Sequence, residues 1–381
     1  MTAAIHHRPS QELLERLSAE RPQQTPELFP SNDYYGHADI LKRYVKLPKT
    51  IALKGVIEHG SRLDNTNWAV EIDAPAFIYF VWSPRRFDVV QRHANRSCYA
   101  LGPMIQYVPP LRTERLKALE DTYGRNLLFF PSHSSHWVDT NYDIENMCNH
   151  LEDIGSRFQT IRVCMYWRDI QRNLHIPYEK RGFLVQCAGH IYDRLFYNRL
   201  RELIEPATIT ASMVPGSHIG HSLCLGKPYW HLPAPVEFIT DYAQSQHNCD
   251  LNFWQSDIAT VIKKLFAPQE EHINPEQLAF AVHIFGLNQH KSPSSLRIIL
   301  ELAEEIWTLS QQPDASQNRL LACMLLAKGL EYLHKQDRIT ALRLTEQAAK
   351  HAPDFAERAL SQLHDSKPLQ LNNPTPCRAT V

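Results

Sequence analysis

The spacing of apolar side chains divides the chain into regions of different texture. Residues 1–32 hold one weakly amphipathic helix near residues 11–20, followed by Pro22, Pro26 and Pro30, and read as a partly disordered leader. Residues 51–57, 69–82 and 98–108 carry β-branched and aromatic side chains between turn formers. They predict strands in an N-terminal α/β domain over residues 33–115. Beyond residue 125, short apolar runs at 127–130, 160–167, 183–187, 207–212 and 228–232 predict strands, and helical spacing at 142–158, 192–205 and 217–225 predicts helices between them. This alternation predicts a parallel sheet covered by helices, a Rossmann-like domain over residues 120–255 with its ligand at the carboxyl ends of the strands.

From residue 257 apolar positions recur every three or four residues through 278–285, 296–309, 320–333 and 339–349, which predicts an α-helical region over residues 256–365. Within it, the window 322–355 places Gly329, Tyr332, Ala341, Ala348 and Pro353 where a tetratricopeptide repeat has small, aromatic, small, small and proline residues. A plain helical cap on the sheet domain is the alternative. Residues 366–381 are polar and proline-rich and are expected to be disordered.

Charge narrows the partners. The 40 Lys and Arg residues against 41 Asp and Glu leave no basic excess to neutralise a nucleic-acid backbone, so the charged ligand is expected to be small. The 8 cysteines are scattered without a C-x-x-C pair, as in a reducing cytoplasm. No stretch has the roughly 20 apolar residues of a transmembrane helix, and no signal-peptide pattern opens the chain. The expected location is cytoplasmic, with peripheral contact at the inner face of the membrane compatible with it.

Three stretches carry candidate chemistry. In Ile57-Glu58-His59-Gly60, a strand ends in an imidazole suited to removing a hydroxyl proton; a structural histidine is the alternative. Ser132-His133-Ser134-Ser135 follows an apolar strand directly and offers hydroxyl and imidazole donors, or else turn and cap residues. Gly216-Ser217-His218, with Ser222 four residues further on, opens a helix. There free N–H groups and the helix dipole favour a phosphate, unless Ser217 is only an N-cap. Arg168 is either a further phosphate ligand or the surface partner of Asp169, and Arg85, Arg86, Arg92 and Arg96 make a local basic cluster. Neither a Walker loop nor a G-x-G-x-x-G follows a strand, and no D-x-D occurs.

The stretches Asp33-Tyr34-Tyr35-Gly36-His37, Ile40-Leu41-Lys42-Arg43-Tyr44, Ile57-Glu58-His59-Gly60 and Ala100-Leu101-Gly102-Pro103, with the late Gly-Ser-His helix start and its Gly-Lys-Pro end, resemble GT-B-type glycosyltransferases of bacterial capsule and lipopolysaccharide clusters. The resemblance covers roughly residues 33–232 and leaves the helical remainder outside. It implies two Rossmann-like domains and metal-independent transfer from a nucleotide-sugar donor to a glycan or lipid-linked acceptor, with no cofactor. It also implies that Ser132, His133, Ser134, Ser135, Arg168, Gly216, Ser217, His218 and Ser222 hold the donor, and that His59, with Glu58, serves the acceptor hydroxyl. A sugar-nucleotide epimerase of the same architecture, using Glu58 and His59 as acid and base, is one alternative. A non-catalytic protein binding a partner through its C-terminal helices is the other.

Overall fold

The computed structural model describes residues 10–23, 27–92, 96–135, 138–239, 256–312 and 317–353. The tail at 366–381 lies outside them. Among the described residues, α1 (Gln11–Ser18) and α2 (His37–Tyr44) precede β1 (Gly55–Ile57), α3 (Ala69–Ile72), β2 (Ile78–Val81), α4 (Phe87–Gln91) and β3 (Ser97–Ala100). Helix α5 (Thr113–Tyr123) leads to β4 (Asn126–Phe130), β5 (Asp139–Asn141), α6 (Ile144–Gly155), β6 (Thr160–Cys164), α7 (Trp167–Gln171), α8 (Ile176–Lys180) and β7 (Leu184–Gln186). Then come α9 (Phe196–Ile204), β8 (Ile209–Ser212), α10 (Ser217–Cys224), β9 (Tyr229–His231) and β10 (Glu237–Ile239). The chain continues through α11 (Asp257–Leu265), α12 (Pro275–Phe285), α13 (Pro293–Ser310), α14 (Gln317–His334) and α15 (Arg338–His351). The protein is thus α/β with two parallel sheets and a helical C-terminal region.

In the larger sheet the order is β7-β6-β4-β8-β9, with every neighbouring pair parallel. The chain starts at the centre with β4, grows to one side through β6 and β7, and then crosses to the other side with β8. This is the doubly wound arrangement, and it leaves a crevice between the carboxyl ends of β4 and β8. Strand β4 is buried along its whole length, as a strand covered on both faces must be. Behind the crevice, the buried Arg162 guanidinium in β6 donates to Gln186 Oε1 (2.9 Å), Asn126 Oδ1 (3.1 Å) and the Leu203 carbonyl (2.9 Å), tying β4, β6, β7 and α9 together. Strands β5 and β10 form a separate antiparallel ribbon.

The smaller sheet, β1-β2-β3, has only three strands, and both its edges are closed by side chains from elsewhere. Beside β1, Asn32 accepts the Ile57 N–H (2.9 Å) and donates to the Gly55 carbonyl (2.9 Å), copying a neighbouring strand. Beside β3, buried Glu331 of α14 accepts the Cys98 N–H (3.3 Å), and Tyr99 donates its hydroxyl to the Ala327 carbonyl (2.6 Å). An open edge would leave such groups to water or to another chain. Residues of α13 and α14 (Leu296, Ile299, Ala303, Ala327) share one apolar core with Ile57 and Phe80 of the small sheet and Leu128 of the large one.

Several expectations change. Of the helical region expected over residues 256–365, α13 and α14 pack on the small sheet as its covering layer. The helix expected near residues 11–20 is present as α1, and it is part of the fold, with Leu14 and Leu17 buried in the core of the large sheet. Residues 69–72 and 104–107 are helical turns rather than strand, the latter directly behind Pro103, whose fixed φ starts the turn. Helices α14 and α15 do form a hairpin, in which a side chain at Gly329 would meet the Ala341 carbonyl at 3.2 Å.

Candidate active site

The carboxyl ends of β1, β4, β6, β7 and β8 open on one cavity of about 350 Å³ between the two sheets. The large sheet contributes the start of α10. Gly216 precedes that helix in fully extended backbone (φ −173°, ψ −177°), and no side chain caps it. Ser217 is therefore not an N-cap. Its hydroxyl reaches across the cleft instead, accepting the Ser61 N–H at 2.9 Å. A helix start without a side-chain cap, at the switch point of a doubly wound sheet, is a place where backbone N–H groups and the dipole meet an anion.

Next to it, Ser132 is 2% exposed, and its hydroxyl lines the cavity with no hydrogen-bond partner among the described residues. A buried hydroxyl in that state is where a ligand oxygen gains most. His218 stacks on Phe130 (5.1 Å between rings) and lies 2.7 Å from Ser212 Oγ. Because Ser212 donates to the Val214 carbonyl, its oxygen accepts from both His218 Nε2–H and Tyr229 OH. His218 thus keeps Nδ1 as an acceptor. Burial, with His133 and His231 nearby, lowers its pKa to about 3, so the ring is neutral. The expected phosphate donor is an acceptor.

The small sheet contributes the loop after β1. Gly60 (φ +68°) turns it so tightly that a side chain there would put its Cβ 2.8 Å from Ser217 Oγ. The His59 ring lies parallel to Tyr35 (5.4 Å), edge-on to Tyr34 (5.0 Å) and against Trp68 (5.3 Å). Its buried Nδ1 has no partner among the described residues. Burial, then the nearby Arg62 and His133, lowers its pKa to about 4, so it is a neutral proton acceptor above that pH, though a weak one. The loop is anchored by Glu71, which accepts the His59 N–H (2.6 Å) and the Tyr79 hydroxyl (2.8 Å). Burial, followed by the neighbouring Glu58, raises the Glu71 pKa to about 7.

Four expected residues face elsewhere. Glu58, 1% exposed, accepts Arg86 Nε (2.6 Å) and the Trp82 N–H (3.3 Å). Successive side chains in extended backbone point to opposite sides, so Glu58 and His59 do not share the cleft. Ser134 turns inward, its N–H donating to the Asp169 carboxylate (3.1 Å) and its hydroxyl accepting the Thr140 N–H (3.1 Å). Arg168 pairs with Asp139 (3.3 Å) rather than Asp169 and is not among the residues that line the cavity. Ser222 is fully buried one turn further along α10, beyond the lining of the cavity. Ser135 lines the cavity, but its hydroxyl closes a turn by accepting the Val138 N–H (3.1 Å). His133 is exposed and lies on Tyr166, 4.6 Å between rings.

The missed residues are mainly aromatic. Tyr35 holds a positive φ of 54°, uncommon for a side chain of its size. Its N–H donates to the Ile191 carbonyl (2.5 Å), and its hydroxyl meets Tyr166 OH at 3.3 Å, so it bridges the two sheets. Tyr34, Trp68 and Tyr166 complete the walls. Arg62 also lines the cavity, bound to Asp64 (3.0 Å). The adjacent Tyr34-Tyr35-Gly36-His37 was the available signal for the aromatic wall. Nothing in the sequence marked Glu71. Among the described residues no Asp or Glu lines the cavity.

No family model and no curated protein matches the chain in sequence. Among solved structures, the UDP-GlcNAc 2-epimerase from Neisseria meningitidis bound to UDP-GlcNAc is similar, with 12% identity over 75% of this chain and 84% of that one at a TM-score of 0.37. A glycosyltransferase from Rickettsia africae is also similar, with 12% identity over 66% of this chain and 70% of that one at a TM-score of 0.31. Likenesses this distant do not identify a reaction. No helix among the described residues is long and apolar enough to cross a membrane.

Proposed function

We propose that the protein is a glycosyltransferase that binds a nucleotide-sugar donor against the large sheet and transfers the sugar to a glycan or lipid-linked hydroxyl presented from the small sheet. The observation that carries the reading is the start of α10. It has no side-chain cap, it lies at the switch point beside the unpartnered Ser132 hydroxyl, and a neutral imidazole, His59, stands across the cleft. On this reading the amides of residues 217 and 218 and the Ser132 hydroxyl hold the donor phosphate and stabilise its charge as the sugar bond breaks. His59 takes the acceptor proton as the new glycosidic bond forms. The charge is met by protein N–H groups and a hydroxyl, and the reading needs no metal ion.

The epimerase alternative needs additional acid and base residues near the sugar, for which the sequence offers Glu58 and His59. With Glu58 held by Arg86, that pair is broken, and transfer, which asks the chain for one base, is favoured. The test is product analysis with nucleotide sugars and glycan acceptors. Wild type is expected to form a new glycoside, and His59→Ala to bind donor while losing about 10²–10⁴-fold in kcat. A C2- or C4-inverted nucleotide sugar without any transfer product, or full turnover by His59→Ala, would contradict the proposal.

A further inference from the structure

We infer that Ser217 couples the two halves of this site, so that an anion held at the start of α10 sets the position of the loop carrying His59. The inference rests on the nucleotide-sugar reading above. Ser217 Oγ accepts the Ser61 N–H at 2.9 Å and lies 3.3 Å from Ser61 Oγ. Gly60, between Ser61 and His59, leaves no room for a side chain against that same oxygen. The loop is therefore suspended between two anchors: Glu71 on its own side, through the His59 N–H, and Ser217 on the donor side.

The hydroxyl has one proton and two lone pairs. Ser61 occupies one lone pair with its N–H, and its own hydroxyl, when it donates, occupies the other. The Ser217 proton then remains for a ligand oxygen at the first amides of α10. Donation to an anion polarises Ser217 Oγ and makes it a stronger acceptor for Ser61, since hydrogen bonds in a chain reinforce one another. Occupancy of the donor site thereby tightens the backbone two residues from the imidazole. Ser217 contacts the donor and acts as a positioning residue for His59, and a base displaced by about 1 Å loses on the order of 10²-fold in rate.

The experiment follows the His59 imidazole by NMR, with its signal assigned by its loss in His59→Gln, while UDP, GDP and dTDP are titrated in turn. The binding nucleotide is expected to shift the signal in wild type and in Ser217→Thr, which keeps the hydroxyl. In Ser217→Ala the nucleotide still binds but the shift is lost, and kcat falls about 10²-fold with a small change in donor KM. Binding with an unchanged His59 shift in Ser217→Ala, or a loss confined to KM, overturns the coupling and leaves the nucleotide-sugar reading intact. Failure of all three nucleotides to bind wild type overturns both.

Discussion

The two sheets face one cleft but are made differently. The large sheet is contiguous, built from residues 126 to 231 in a single doubly wound run. The small sheet is assembled from distant parts: Asn32 closes one edge, Glu331 the other, and α13 and α14 return after the large sheet is complete to cover it. The contiguous sheet presents a helix start, whose chemistry is fixed by the backbone. The assembled sheet presents an imidazole on a loop, whose position depends on what holds the loop. The helix start and the imidazole loop thus have different structural requirements, and interference with remote segments should fall on the loop.

The largest expected effect is on the ion pair beneath the His59 loop. Glu58→Ala leaves the Arg86 guanidinium, 1% exposed, without its carboxylate. It should cost about 3–5 kcal/mol in denaturant unfolding, as breaking a buried pair does. A fall in activity at unchanged stability would instead return Glu58 to the chemistry. Next comes Glu331→Ala, which strands the Cys98 N–H and leaves Lys328 and Lys335 without their carboxylate (3.1 and 2.9 Å). A loss of about 1–3 kcal/mol is expected. Hydrogen exchange should quicken in β1 to β3 while β4 and β8 stay protected; equal loosening of both sheets would contradict the comparison.

Acidification provides a smaller effect. His37 and His218 have pKa values lowered to about 3 and His59 to about 4, chiefly by burial, against an ordinary 6.5. The unfolded chain takes up those protons first, so stability should fall as pH drops from about 6.5 toward 4. Glu71 works in the opposite direction. The folded state keeps its proton up to about pH 7 and the unfolded chain releases it near 4.5, so its contribution is lost as pH rises through that window. Melting temperatures from pH 4 to 7 should therefore rise, and rise more steeply in Glu71→Gln. The smallest effect is expected of Arg168→Ala: at most about 1 kcal/mol from the partly exposed Asp139 pair, with donor binding unchanged. Weakened donor binding in that variant would restore Arg168 to the site.

Much of the large sheet was legible because its strands are continuous apolar runs and its helices amphipathic. The α10 start followed from Gly216-Ser217-His218 in the same way. The assembled sheet was less legible. Nothing local indicates that Glu331 caps a strand more than 200 residues earlier, or that α13 and α14 complete a domain whose strands end at Ala100. Within the site, positions were easier to read than directions. His59, Ser132 and Ser217 line the cavity, whereas Glu58, Ser134 and Arg168 sit beside the right loops with their side chains turned to internal partners. The aromatic side chains of Tyr34 and Tyr35, Trp68 and Tyr166 on the walls come from three separate segments and meet only in the fold.

The most direct test of the central claim is the thermal shift of wild type and Gly216→Val against a panel of nucleotides and nucleotide sugars. At about 100 times Kd a ligand adds roughly 2.7 kcal/mol to stability, a readable rise in melting temperature. One nucleotide class should raise the wild-type value and lose that effect in Gly216→Val, whose side chain crowds the helix start. A flat response of wild type to the whole panel, or a shift that survives Gly216→Val unchanged, would contradict a phosphate held at the start of α10.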